Sequence, residues 1–262
     1  MNIQGLARLY LAVLVFALCG CATEQKLEQE VLAASPAPDS GFLEDADRMA
    51  PHPERAPFDR YWLAPTFDWN HYSKVYVAAV DTRHVLEMSL WEKINLRTID
   101  VKKDIADLAL EFHDDLVKAF RDDPKRHFQV LDAAAAIDDQ TLVIQSALVE
   151  LVPDKAALAV LGTAAWAAPV ALGVPLGTFA AFEDQGSVSF ELRGRDGRTG
   201  EVVGMCADRE VGPMRVLDLR SMTWYGNAHL ILNDWSRQLV ELSNTPHDVQ
   251  VKHSEYFTLM PW

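Results

Sequence analysis

The sequence predicts an α+β domain: a small, mostly antiparallel sheet with two long amphipathic helices packed on it, plus an apolar Ala/Pro/Gly-rich helical insertion. Three observations carry this. Residues 99–121 and 222–242 repeat apolar side chains every three or four positions, the spacing of one buried helical stripe. Residues 74–85, 141–152 and the two flanks of a glycine-bearing turn at 193–200 are rich in β-formers. Between them, residues 156–182 carry no charge at all.

Taken in order, the first strand is 74–85, with Val75, Val77 and Val80 as its apolar β-formers. The first helix places Ile105, Leu108, Phe112, Leu116 and Phe120 on one stripe, and Asp100 and Asp104 in its first turn complement the helix dipole. Asp122, Asp123 and Pro124 stop it. A short strand at 128–131 and a longer one at 141–152 follow. The uncharged run has the length to cross a bilayer, but Gly162, Pro169, Gly173, Pro175 and Gly177 interrupt it. It therefore reads as apolar helices lying on the core, with membrane contact or self-association as the rival reading. A hairpin joins 187–192 to 201–207, where Asp196-Gly197 and Thr199-Gly200 supply positive-φ positions for the reversal. The last helix carries Trp224, Ala228, Ile231, Trp235, Leu239 and Leu242 on its stripe, with Ser221 as N-cap and Pro246 beyond its end.

Acids outnumber bases 38 to 24 in the 262 residues, a formal charge of −14. Nucleic-acid binding needs a basic face, so this balance argues against that class, and equally against a polybasic contact with anionic lipid. The N-terminus has one base, Arg8, then an apolar run at 9–18, the layout of a secretory signal. That run ends Leu18-Cys19-Gly20-Cys21, which resembles the lipobox of bacterial lipoproteins. The resemblance implies cleavage before Cys21 and acylation of that cysteine, so that several acyl chains hold the protein to the membrane. Ala22 next to it matches the sorting pattern for the outer membrane, with the domain facing the periplasm.

The expected organisation is a signal peptide at 1–20 and a lipidated cysteine with tether at 21–40. An extended aromatic and proline-rich arm at 41–73 then precedes one α+β domain at 74–245 and a tail at 246–262. Cys206 is the cysteine left for the folded domain. A single thiol forms no internal disulfide, so it is expected to be buried.

No catalytic constellation is legible. Gly194, Gly197 and Gly200 belong to a hairpin turn, not to a phosphate-cradling loop between strand and helix. His113, Asp114 and Asp115 are adjacent on a helix and diverge, so they read as a solvated face rather than a metal site. Asp196, Glu201 and Asp208 surround one hairpin, close enough in sequence that they could approach one another, and Asp196 is expected to bond the turn backbone. No cofactor, metal ligand or catalytic residue is assigned. Trp62, Trp69 and Trp91 lie outside strong periodicity and are the candidate contacts for a protein partner.

Several short motifs carry a resemblance. Ser40-Gly41-Phe42-Leu43, Tyr61-Trp62 with Tyr72-x-x-Val75-x-Val77, and Phe190-Glu191-Leu192 with Asp196-x-x-Thr199-Gly200-Glu201 and Asp208-Arg209 resemble the bacterial lipoprotein family catalogued as domain of unknown function 3313. The likeness runs over about 39–242 and implies a lipoprotein domain without an assigned activity. The expected function is a non-enzymatic, outer-membrane-anchored binding or accessory domain for another envelope component. The alternative is an oligomeric assembly or secretion component that self-associates through 156–182.

Overall fold

The computed structural model describes residues 39–51, 53, 55–85, 101–125, 127–152, 186–212, 228–246 and 249–251. Cys21, Trp91, Trp224 and the uncharged run 156–182 lie outside them. The described strands are β1 (Ala50–Pro51), β2 (Arg60–Leu63), β3 (Lys74–Val77), β4 (Gln129–Val130), β5 (Thr141–Val152), β6 (Gly186–Asp196) and β7 (Val202–Gly212). Two helices accompany them, α1 (Val101–Arg121) and α2 (Ala228–Asn244). The fold is therefore α+β, with one seven-stranded sheet in the order β1-β2-β7-β6-β5-β3-β4.

The sheet is mixed. β1 through β5 in that order pair antiparallel, whereas β3 pairs parallel with both β5 and β4. The sheet is mostly antiparallel, as expected, and its β5-β3-β4 end is parallel. The reason is connectivity: α1 lies between β3 and β4 in sequence, and a helical crossover returns the chain in the same direction. The first strand is also shorter than expected, ending at Val77, after which Asp81 bridges to Ala147. β2 falls inside the stretch read as an extended arm. Its four residues are all half-buried, so no alternation marks them. Each sheet edge is a two-residue strand, and Pro51 sits in the β1 edge, a placement that blunts further pairing.

One face of the sheet receives both helices. Ile105, Leu108, Phe112, Leu116 and Phe120 of α1 and Leu232, Trp235, Leu239 and Leu242 of α2 bury against Leu142, Ile144, Leu148, Phe190 and Leu192. At the centre Phe190 meets Trp235 at 4.5 Å and Phe112 at 5.7 Å between ring centroids. A bulge between Leu148 and Glu150 keeps this face apolar: the extra residue shifts the alternation, so both Leu148 and Leu151 join the helix-side core.

The opposite face is covered by 42–49, whose Phe42, Leu43, Ala46 and Met49 pack on Ala147, Val149, Met205 and Ala207. Charged groups are buried with them. Glu191 has no exposed surface, and it accepts hydrogen bonds from Ser40 N (3.2 Å) and Ser40 Oγ (2.6 Å). Arg193 donates to the Phe42 carbonyl at 2.8 Å and lies over its ring. Arg209 pairs with Glu150 at 2.7 Å.

The hairpin turn differs in one respect from the sequence reading. Gly200 has the positive φ of 73°, but Gly197 does not. A Cβ at Gly197 would meet the Asp138 and Thr141 carbonyls at 2.5 and 2.7 Å, so glycine is needed there for close approach.

The ring cluster makes a direct prediction. Phe112→Ala opens a cavity between α1 and β6 and is expected to cost about 3–5 kcal/mol in urea denaturation. Leu110→Ala, at a residue 61% exposed on the same helix, is expected to change stability by less than about 0.5 kcal/mol.

Candidate functional site

Among the residues singled out from sequence, Trp69 is buried against Phe67 and Phe128, with centroids 4.7 and 6.3 Å away. It is core rather than surface. Trp62 is half-buried beside the second-face cluster, with the Arg48 guanidinium 5.5 Å from its ring. Cys206 is buried as expected, and burial pushes its thiol well up. Asp196 accepts from Arg198 N and Thr199 N within the turn, at 3.0 and 2.7 Å. Asp208 does not approach it. Asp196 pairs with Leu142 at the turn, whereas Asp208 pairs with Phe190, further along the hairpin. Among the described residues no three metal-ligating side chains converge.

What the fold does assemble lies between the helices. β3 and β7 both run parallel to β5, because two antiparallel steps restore direction. The helix that follows each returns over the same face, so α1 and α2 run parallel. Their contacts confirm the register: Glu111 meets His229 at 2.5 Å and Asp115 meets Asn233 at 3.4 Å, each pair 118 positions apart. Below this point the seam opens into a groove of about 540 Å³. Ala119 and Val240, both packed on the core, form its apolar floor, and Lys118, Arg237 and Glu241 stand on its rim. The groove closes at the helix ends, where Asn244 Nδ2 donates to Asp123 at 2.8 Å and Lys125 Nζ donates to the Asn244 carbonyl at 2.6 Å.

The electrostatics follow from the parallel arrangement. Both helices end at the same side, so the unpaired carbonyls of two last turns concentrate negative potential there. Two cations answer it: Lys125 at the Asn244 carbonyl, and Arg55, which donates to the Thr245 carbonyl at 3.2 Å. Desolvation, reinforced by Glu111 and Asp114, raises the Asp115 carboxyl above its ordinary range. The salt bridge to Asp122 raises the Lys118 ammonium. This set was missed in the sequence because its signal is a polar stripe at positions 111, 115, 118 and 122 beside an apolar one. On a single helix such a stripe reads as solvated surface; only the matching stripe at 229, 233, 237 and 241 makes a groove of it.

A buried acid also lies beneath α2. Asp208 accepts from the Trp235 indole at 2.7 Å and from Asp59 N at 3.1 Å. Burial, with Asp59 and Glu210 nearby, pushes its carboxyl well above the usual carboxylate range. Packed into the ring cluster, it serves to position Trp235.

Comparison with known proteins gives a family match. The profile of the family described as Protein of unknown function (DUF3313) matches residues 38–239. No curated protein matches the chain. Among solved structures it is similar to PelC from Paraburkholderia phytofirmans, described as a dodecamer in two crystal forms. One, a point variant, is 11% identical over 70% of this chain and 96% of that chain, with a TM-score of 0.38. The other is 10% identical over 72% and 97%, with a TM-score of 0.39. At these values the likeness supports no transfer of assembly or role.

Asp208 sets a pH signature. Its raised value means the folded chain keeps a proton that the unfolded chain has lost. Its contribution is full below the ordinary aspartate value of about 4 and is lost as pH rises toward the folded value. Asp81, Asp138 and Asp196 are depressed, so their opposite contribution changes only below that range. The Tm is therefore expected to fall as pH rises above about 4. Asp208→Asn, which keeps a carbonyl for the Trp235 indole, should flatten that decline; an unchanged slope would remove Asp208 as its source.

Proposed function

The chain belongs to the DUF3313 family of proteins of unknown function, and from that premise we propose that it is a non-enzymatic binding lipoprotein of the cell envelope. In this reading acyl chains on Cys21 hold it in the outer membrane, and the domain reaches into the periplasm on the tether. Its working surface is the groove between α1 and α2, which receives a segment of another envelope protein.

One observation carries the assignment of the surface: a groove of about 540 Å³ with an apolar floor and a polar rim. That combination suits recognition, because the floor supplies desolvation and the rim fixes orientation. The lipobox resemblance at Cys21 supports the anchor. The acidic balance of the chain supports a protein partner over nucleic acid.

Two experiments test this. Cys21→Ser is expected to abolish incorporation of labelled palmitate and to release the chain from the membrane fraction; a variant that keeps both would contradict the anchor. A photo-crosslinking residue in place of Glu241, on the groove rim, is expected to give a discrete adduct in cells. The adduct should disappear when Ala119→Trp fills the floor, and none should form when the same group replaces Arg198 in the β6–β7 turn. Adducts that persist with the floor filled would sink the groove as the working surface.

A further inference from the structure

We propose that Arg193 and Arg195 form a phosphate-binding site on the sheet face away from the groove, and that Glu44 occupies this site in the unliganded chain. The site is independent of the groove and of what the groove receives.

The two arginines are two positions apart on β6, so both rise from the same sheet face, about 6.6 Å apart at their bases. Gln145, paired with Arg193 across β5, ties them together. Its Oε1 accepts from Arg193 Nε at 2.8 Å and from Arg195 Nε at 3.1 Å. Their outer nitrogens are held as well: Arg193 Nη1 donates to the Phe42 carbonyl and Arg195 Nη1 to the Gly200 carbonyl, both at 2.8 Å. Each of these acceptors is neutral, so they orient the two guanidiniums without cancelling their charge. Burial, with the Arg195 charge beside it, holds the Arg193 guanidinium below its ordinary value. Asp81 acts on Arg193 at longer range, but its carboxylate is engaged by Arg83.

Among the described residues, the carboxylate in contact with both arginines is Glu44. Its Oε1 lies 3.2 Å from Arg195 Nη2 and 3.6 Å from Arg193 Nη1, so one anionic oxygen already sits between the two guanidiniums. The Glu44 side chain is 70% exposed, and an exposed acid at these distances is held weakly. It marks where a ligand oxygen goes, and its exposure leaves that position open to replacement from solvent. A ligand carboxylate would gain little over Glu44, which the chain itself keeps nearby. A phosphate group gains more: it offers a separate oxygen to each guanidinium and carries more charge, and paired guanidinium–phosphate hydrogen bonds are among the strong ones.

The test is equilibrium dialysis of the full chain, solubilised in a non-ionic detergent, at ionic strength fixed with chloride. Two labelled probes are used: inorganic phosphate, and dibutanoyl phosphatidic acid, a lipid headgroup on chains short enough to stay in solution. Saturable binding near one equivalent is expected. Arg195→Gln should weaken it about tenfold or more, the loss of a charge-assisted contact. Glu44→Gln should tighten it about two- to fivefold, because the competing carboxylate is gone. A Glu44 that merely fastened residues 40–49 to the sheet would give no such gain. Equal affinity for both probes identifies the phosphate group alone as the ligand; clearly tighter binding of the phosphatidic acid identifies a lipid headgroup as its source. No saturable binding of either probe, or binding that Arg195→Gln or Glu44→Gln leaves unchanged, overturns the site.

Discussion

The structure depends on one contact set: Phe112 of α1, Phe190 of β6 and Trp235 of α2, three rings meeting beneath the helix pair. It links three elements distant in sequence, and each ring is almost wholly buried. Aromatic side chains contribute large apolar area and, at offset or tilted geometry, an added attraction per pair. The indole needs a hydrogen-bond acceptor in a place without water, and Asp208 supplies it from β7. The cost is a carboxylate in the interior, which the fold meets by holding it toward its protonated form and by giving it the Asp59 amide.

The rings hold both helices on one face, the parallel strands β3 and β7 that precede them set their common direction, and the groove follows from that direction. Helices that ran antiparallel would place one N-terminus beside one C-terminus and largely cancel their dipoles. Here both C-termini meet at one end. The seam is tied at the top by Glu111–His229 and at the bottom by Asp123–Asn244, and it stays open between. Ala119 is the small residue that permits the opening; a larger side chain at that position would fill the floor.

The opposite face of the sheet is solved differently. It is covered by a short N-terminal segment with four apolar residues, so much of its security comes from charge-assisted bonds: Ser40 to Glu191 and Arg193 to the Phe42 carbonyl. Buried ionic groups of this kind gain little stability over apolar ones, but each demands its own partner. They fix the register of residues 40–49 on the sheet.

The sequence by itself determined the elements whose patterns are local. α1, β5 and the β6–β7 hairpin carry complete periodicities, and β5 was read at its observed limits. Cys206 as a buried thiol, Asp196 as a turn residue and the family resemblance were legible for the same reason: each depends on neighbours a few positions away. What only the tertiary structure decided is everything that depends on pairing at long range. The parallel placement of β3, the recruitment of Arg60–Leu63 as β2, and the burial of Trp69 have no local signature. The groove belongs to this second class. Asp115, Glu241 and Asn244 are ordinary polar positions on their own helices, and they line one groove only because two crossings of the same sheet face set 118 residues of separation into a single helical register.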